Sequence, residues 1–307
     1  MELQVSTRDS YGKALKEIGA DSKIVVLDAD LSSSTKTSVF AEAYRDRFIN
    51  VGISEQNLFG IAAGLACSGK TVFASTFAVF VGKAWDILRI IAHDRLNVKV
   101  TVSHGGISNG PDGWSHHSIE DIAMMRALPN FTVVVPADSV EAESVVKVAA
   151  QNDGPWYIRL SKLEVPTING IDYRFLPGKG NVLLDGSDVS IIACGAMVHA
   201  ALGAAEILKG DGVRAMVINM ASIKPIDVEL VLRAARETGA VVTAEEGSVI
   251  GGLGGAVAEA TSSYCPVTVE RVGINDTFTQ SGGRDLYGFY GLTAEGITEA
   301  CRRVRKR

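Results

Sequence analysis

Nowhere does the sequence approach the run of about eighteen apolar residues that a membrane-crossing helix needs, and Met1-Glu2-Leu3-Gln4 has neither a basic cap nor an apolar stretch. That pattern argues against a membrane span and a secretory leader, and the expectation is a soluble, cytoplasmic protein. Excess positive charge is missing too. Lys and Arg number 30 against 35 Asp and Glu, a net charge of −5, so no basic field exists to drive nucleic-acid binding through counterion release. Cysteine is sparse: Cys67, Cys194, Cys265 and Cys301 are scattered without zinc-site spacing and are expected to stay reduced. The polar bias of disordered chains is absent, since 47% of residues are hydrophobic and 21% charged. At roughly 150 residues per domain, the length corresponds to about two domains.

What is present is alternation. In the first half, β-rich runs at 24–28, 98–103, 131–135 and 156–160 alternate with helix-like stretches at 55–68, 77–93, 119–128 and 139–152. Ile24-Val25-Val26-Leu27-Asp28 is a continuous apolar run bounded by polar residues, the pattern of a strand buried on both faces of a parallel sheet. In the second half, strands are expected at 188–194, 213–219, 241–246 and 266–272, and helices at 198–209, 227–237, 255–262 and 293–304, before a basic tail ending at Arg307. This predicts an α/β fold of two domains, each a mostly parallel sheet flanked by helices. The Gly-, Pro- and Asn-rich segment 166–187 lacks periodicity and reads as a linker, leaving domains at 1–165 and 188–307. Ligands in such sheets bind beyond the carboxyl ends of strands, which directs attention to the loops 28–37, 104–117 and 161–165.

Two glycine motifs read as structural. Gly210-Asp211-Gly212 has the opening of a metal–diphosphate motif, but the asparagines that complete one are missing near 236–240, so it reads as a turn. Gly251-Gly252-Leu253-Gly254-Gly255 lacks the Lys-Ser/Thr ending of a phosphate loop and reads as close packing before a helix. Three other segments carry chemistry. Ser54-Glu55 opens an apolar helix, where Ser54 could cap and Glu55 could favour the first turn. The alternative is a carboxyl held against an apolar site, sharing a proton with a ligand nitrogen. His104, His116 and His117 lie with Asp112 in one glycine-rich loop after a strand, which favours a site over isolated histidines; no metal-ligand spacing is evident, and adjacent His116 and His117 should point apart. Phe77 and Phe80, three apart, suit either a core or a flat ligand ring.

Taken in order, Thr7-Arg8, Asp28-Ala29-Asp30-Leu31, Gly52-Ile53-Ser54-Glu55, Ser75-Thr76-Phe77-Ala78-Val79-Phe80, Gly110-Pro111-Asp112-Gly113-Trp114-Ser115-His116 and Leu128-Pro129-Asn130-Phe131 resemble the transketolase family. The likeness is to its second half, a pyrimidine-binding domain followed by a C-terminal domain, and it covers nearly the whole chain. The resemblance implies thiamine diphosphate as cofactor, with Glu55 hydrogen-bonding its aminopyrimidine, Phe77 and Phe80 packing on that ring, and Asp30 and Leu31 beside it at a subunit interface. It implies that Asp112 reads sugar hydroxyls, that His116 lies near the reacting carbon, and that Arg8, Ser34, His104 and Lys162 bind the terminal phosphate as a cationic cluster. The implied reaction is transfer of a two-carbon ketol unit from a ketose to an aldose.

The family's diphosphate-binding domain has no counterpart here. The expectation is therefore a split enzyme, in which a companion subunit supplies the diphosphate and Mg²⁺ site within an α2β2 assembly. Three departures leave the donor open, including a sulfonate in place of phosphate. Lys162 stands where arginine is usual, and only a suitably turned Arg159 could restore a bidentate fork. Trp114 and His117 replace the usual Pro and Gln. Lys83 stands where a tyrosine often completes the aromatic cluster. The competing readings are a 2-oxo-acid dehydrogenase β subunit, a deoxyxylulose-phosphate synthase-like enzyme, or a scaffold with a dead site.

Overall fold

The computed structural model describes residues 4–281 and 285–306; Met1, Glu2, Leu3 and the terminal Arg307 of the basic tail lie outside them. The first half contributes strands β1 (Gln4–Ser6), β2 (Ile24–Asp28), β3 (Phe48–Asn50), β4 (Thr71–Phe77), β5 (Val98–Ser103), β6 (Thr132–Val134), β7 (Trp156–Arg159) and β8 (Glu164–Pro166). The second contributes β9 (Asn181–Leu184), β10 (Val189–Ala193), β11 (Ala215–Asn219), β12 (Ser222–Lys224), β13 (Ala240–Ser248) and β14 (Thr268–Ile274). They form a seven-stranded sheet in the order β12-β6-β7-β5-β4-β2-β3 and a five-stranded sheet in the order β14-β13-β10-β11-β9. Both are parallel except at one edge, where β12 and β9 pair antiparallel. The expected α/β architecture of two parallel-sheet domains is what the chain adopts.

Helices cover both faces of each sheet, so β2, β4, β5, β10 and β11 are buried at every residue. Among the described residues, buried apolar side chains form three clusters: one runs from Leu58, Leu88 and Val100 in the first domain to Ile218 and Val257 in the second, one lies around Val198, Leu208 and Ile297, and one around Tyr11, Phe40 and Val145.

Four features differ from expectation. The segment 77–93 is not one helix. Phe77 ends the fully buried strand β4, a tight 3-10 stretch follows (Ala78–Ala84), and the α-helix runs only over Trp85–His93. The opening run of that segment, 77–81, is wholly apolar, and such a run cannot be told from a buried helix by periodicity alone. A helix at Thr7–Ile18, capped by Ser6 accepting from the Asp9 amide, lies in a segment where no element is expected from the sequence. Gly12 sits inside it because an added Cβ would stand 2.8 Å from the Lys36 backbone oxygen. Finally, β9 arises within 166–187, and β12 leaves the second half to extend the first sheet beside β6.

Two small devices position the site. The antiparallel ribbon of β1 and β8 pairs Ser6 with Glu164, and the Ser161 amide donates to the Thr7 hydroxyl at 2.9 Å, so Arg8 and Lys162 emerge at the same end of the molecule. Buried Glu141 accepts from Asn219 at the end of β11 at 2.9 and 3.0 Å and from the Tyr173 hydroxyl at 2.5 Å, tying the second domain to the first.

Candidate active site

Apart from Arg8, every side chain singled out in the first domain lies just beyond the carboxyl end of a parallel strand. After β2, the buried Asp28 carboxylate accepts from the Leu31 amide at 2.6 Å and from the Thr35 and Thr37 hydroxyls at 2.6 and 2.9 Å. Burial pushes this carboxyl up, and those three donors oppose the shift. The anchored turn raises Asp30, in the left-handed conformation (φ 65°), and Leu31 to the sheet edge. After β3, Asn50 accepts from the Asp30 and Gly52 amides at 3.1 and 3.0 Å, joining that turn to the one before Glu55.

Glu55 is the first residue of helix Glu55–Cys67 and only 6% exposed. Ser54 makes no capping hydrogen bond there, so the capping reading does not account for the pair. The partner of Glu55 is Lys83, whose Nζ stands 3.0 Å from Oε1 and 4.3 Å from the centre of the Phe80 ring. Gln56 Nε2 donates to the Lys83 carbonyl at 3.1 Å, fixing the backbone that carries this cation.

The aromatic pair and the histidine loop meet. Phe77, at the extended end of β4, and Phe80, in the 3-10 stretch that follows, stack with centroids 5.8 Å apart and planes 15° from parallel. His104 lies 3.9 Å from Phe77, centroid to centroid, and His116 lies 5.7 Å from Phe80 nearly edge-on. His116 and His117 do point apart. His117 is buried, bonded through Nδ1 to the Thr279 hydroxyl at 2.7 Å and through Nε2 to the Gly110 carbonyl at 3.1 Å. It therefore tethers the loop to the second domain. Asp112 sits exposed on the 3-10 turn Gly110–Asp112, and exposed Trp114 packs on Phe278 at 5.9 Å.

The expected anion-binding residues gather, with one correction. Arg8 Nη1 donates to the Ser34 backbone carbonyl at 3.2 Å, not to its hydroxyl, and lies 3.3 Å from His104 Nε2. A guanidinium only donates, so Nε2 accepts and Nδ1 carries the proton, directed at the Ser103 hydroxyl 2.8 Å away. Burial first, then the positive fields of Arg8, Lys162 and His116, push His104 down to about 3. The cluster is cationic through Arg8 and Lys162 alone, and His104 is a neutral acceptor. Arg159 cannot stand in for a missing fork. It is buried, donating to Asp121 at 2.8 Å and to the Ser118 and Glu246 carbonyls at 3.0 and 2.8 Å.

Both glycine motifs are structural. Asp211 pairs with Arg302 in an exposed turn. Glu245 accepts from the Leu253 and Gly254 amides at 2.8 Å each, so a carboxylate already occupies that helix N-terminus. A cavity of about 250 Å³ beside Phe80 and Lys83 is closed by Trp114, His117, Phe278 and Thr279. A larger open hollow of about 640 Å³ lies on the second domain near Asp188, Gly239 and Arg305, at the amino ends of its strands and away from all these groups.

Residues 4–167 match the model of the transketolase pyrimidine-binding domain, and residues 178–297 that of the transketolase C-terminal domain. The chain belongs to the transketolase family. A protein of Methanocaldococcus jannaschii described as a transketolase C-terminal section is 46% identical over 95% of this chain and 94% of its own length. The 6-deoxy-6-sulfo-D-fructose transketolase subunit of Clostridium sp. is 42% identical over 98% and 94%. A solved split-gene transketolase, an inactive tetramer of β chains, superposes with a TM-score of 0.90 at 52% identity, covering 98% of both chains. Against full-length transketolases the chain spans about half the length.

Within this transketolase subunit, several participants are invisible to local sequence. Lys83 meets Glu55 from 28 positions away, and Thr279 and Phe278 reach the histidine loop from the other domain. Glu246 also crosses over, accepting from the Ile107 amide and the Tyr287 hydroxyl at 2.8 Å each.

Proposed function

We propose that this split transketolase subunit carries the aminopyrimidine half of a thiamine diphosphate site and moves a two-carbon ketol unit from an anionic-ended ketose, a sugar phosphate in the first instance, to an aldose. One observation carries the reading: Glu55, Lys83, Phe80, Phe77, His104 and Arg8 form an unbroken line of contacts along the carboxyl edge of one sheet. A nearly buried carboxyl beside a parallel aromatic pair fits a flat, nitrogen-bearing ring. When bound, thiamine diphosphate supplies the carbanion and electron sink that this protein does not contain. Glu55 holds a proton against the ring nitrogen, Phe77 and Phe80 support the ring face, and Asp30 and Leu31 border it. His116, edge-on to Phe80, faces the reacting carbon and Asp112 the sugar hydroxyls, while Arg8, Lys162, Ser34 and His104 orient the far end of the donor.

The metal–diphosphate end does not fit this chain, since Gly210-Asp211-Gly212 is an exposed turn whose acid is paired with Arg302. We assign that end, with Mg²⁺, to a companion subunit in an α2β2 assembly. The likeness to a β chain that is inactive as a tetramer supports this division.

The test is co-purification with the companion, followed by a ketol-transfer assay with thiamine diphosphate, Mg²⁺, xylulose 5-phosphate and ribose 5-phosphate. The pair should turn over and the isolated chain should not; turnover by the isolated chain overturns the division. Glu55→Gln should lower turnover by about 10²–10⁴-fold with the circular dichroism spectrum unchanged, and near-normal turnover would remove Glu55 from its role.

A further inference from the structure

Two hydrogen-bond donors in the pocket of Arg8 and Lys162 have nothing to donate to. Arg8 Nε and Asn109 Nδ2 are both shielded from solvent, and among the described residues neither meets an acceptor. Asn109 is only 3% exposed and lies on the histidine loop, five residues past His104. Its amide orientation follows from its neighbour. Lys162 Nζ stands 3.5 Å from Oδ1, an ammonium can only donate, and so the oxygen must face the lysine and the nitrogen is left over.

The acceptors beside Arg8 are already engaged. The Ser34 carbonyl and His104 Nε2 are taken by Arg8 Nη1. The Asp9 carboxylate, next along the helix from Arg8, is turned toward Lys36 at 3.0 Å and toward the Ser6 hydroxyl. Arg8 and Lys162 thus set two positive charges beside a neutral imidazole and a surplus of donors. Buried donors are normally paired, so a surplus of this kind calls for an acceptor-rich anion.

We propose that Asn109 Nδ2 is a third donor to the anionic end of the substrate, acting with Arg8 and Lys162, and so determines donor specificity. This rests on the ketol-transfer reading and deepens it. A tetrahedral phosphate ester and an alkyl sulfonate each present three terminal oxygens, one for each of these donors. The carboxamide adds direction without charge, which lysine in place of arginine fails to supply at position 162.

All of these residues belong to this chain, so the full-length chain suffices for a first test. Thermal unfolding would be followed against inorganic phosphate and, separately, methanesulfonate, at constant ionic strength with chloride as control. Wild type should show saturable stabilisation by at least one of them, and the better of the two identifies the anion class. Asn109→Ala should weaken that apparent affinity about ten-fold and Asn109→Asp by about a hundred-fold or more, with Asn109→Ser standing in should the alanine variant fail to fold. If the Asn109 variants bind like wild type while Arg8→Gln loses the response, the proposal is overturned and the site reading survives. If wild type itself shows no response beyond chloride, both fall. In the two-subunit enzyme, Asn109→Ala should lower kcat/KM for an anion-ended ketose about ten-fold relative to a ketose with no anionic end. An equal loss on both would mark Asn109 as structural and overturn the assignment.

Discussion

Two arginines in the first domain flank the same sheet and differ in almost every other respect. Arg159, on β7, is buried, and its Nε and Nη2 are committed to Asp121, Ser118 and Glu246 across the domain junction. Arg8, in the first turn of its helix, is half-buried, touches one carbonyl and one imidazole through a single nitrogen, and keeps Nε idle. The neighbours of Arg159 pushed their own groups to suit it: burial raises Glu246, and the guanidinium pulls against that rise. Among the described residues Arg8 makes no ion pair, and the Asp9 carboxylate that feels its charge is turned instead to Lys36 and Ser6. An ion pair held by hydrogen bonds across the domain junction is architecture, whereas on our proposal a donor left over beside a second cation is a place for a ligand.

That contrast can be broken in four ways, from the largest effect down. Arg159→Met strands Asp121 and should cost about 3–5 kcal/mol in urea unfolding; a change below about 1 kcal/mol would mean the junction does not depend on it. Arg8→Gln should instead change stability by less than about 1 kcal/mol while raising the donor KM about 10–100-fold. Equal losses of stability for the two variants would erase the distinction.

The third concerns pH. His104 is neutral in the folded chain down to about 3, whereas its ordinary value is 6.5. Between those limits the unfolded chain binds the proton and the folded chain does not, so stability is lost as pH falls from 6.5 toward 3. His104→Asn should flatten that part of the stability profile without altering it above pH 7. The fourth is smallest. Thr279→Val removes the hydroxyl that tethers His117, and should cost about 1 kcal/mol and speed amide exchange across residues 110–117.

The parallel strands were readable because a strand buried on both faces is a continuous apolar word, as in 24–28, or a run rich in β-branched residues, as in 98–103. Strand β4 was hidden because Thr71–Phe77 runs without a break into the apolar residues after it, and only its last residue, Phe77, was read, as the start of a helix over 77–93. The site residues on the strand-end loops were legible through glycine, histidine and acid in one loop, and through their order along the chain. What could not be read was pairing at a distance: the ammonium of Lys83 on Glu55, the idle amide of Asn109, and the loop with Phe278 and Thr279 that closes over Trp114 and His117. His104 shows the limit most plainly. A histidine between two cations was read as a third cation, and burial among like charges makes it neutral instead.

The strand β12 limits how the molecule can be cut. A fragment ending near residue 166 would contain every first-domain site residue, yet it would leave β6 as a bare edge, with the amides and carbonyls around Val133 and Val134 seeking a partner. Such a fragment would be expected to aggregate or to capture the missing strand from a neighbour. A piece that keeps β6 paired must run past Lys224, and since it then carries β10, whose other partner β13 lies further on, the two domains should unfold together.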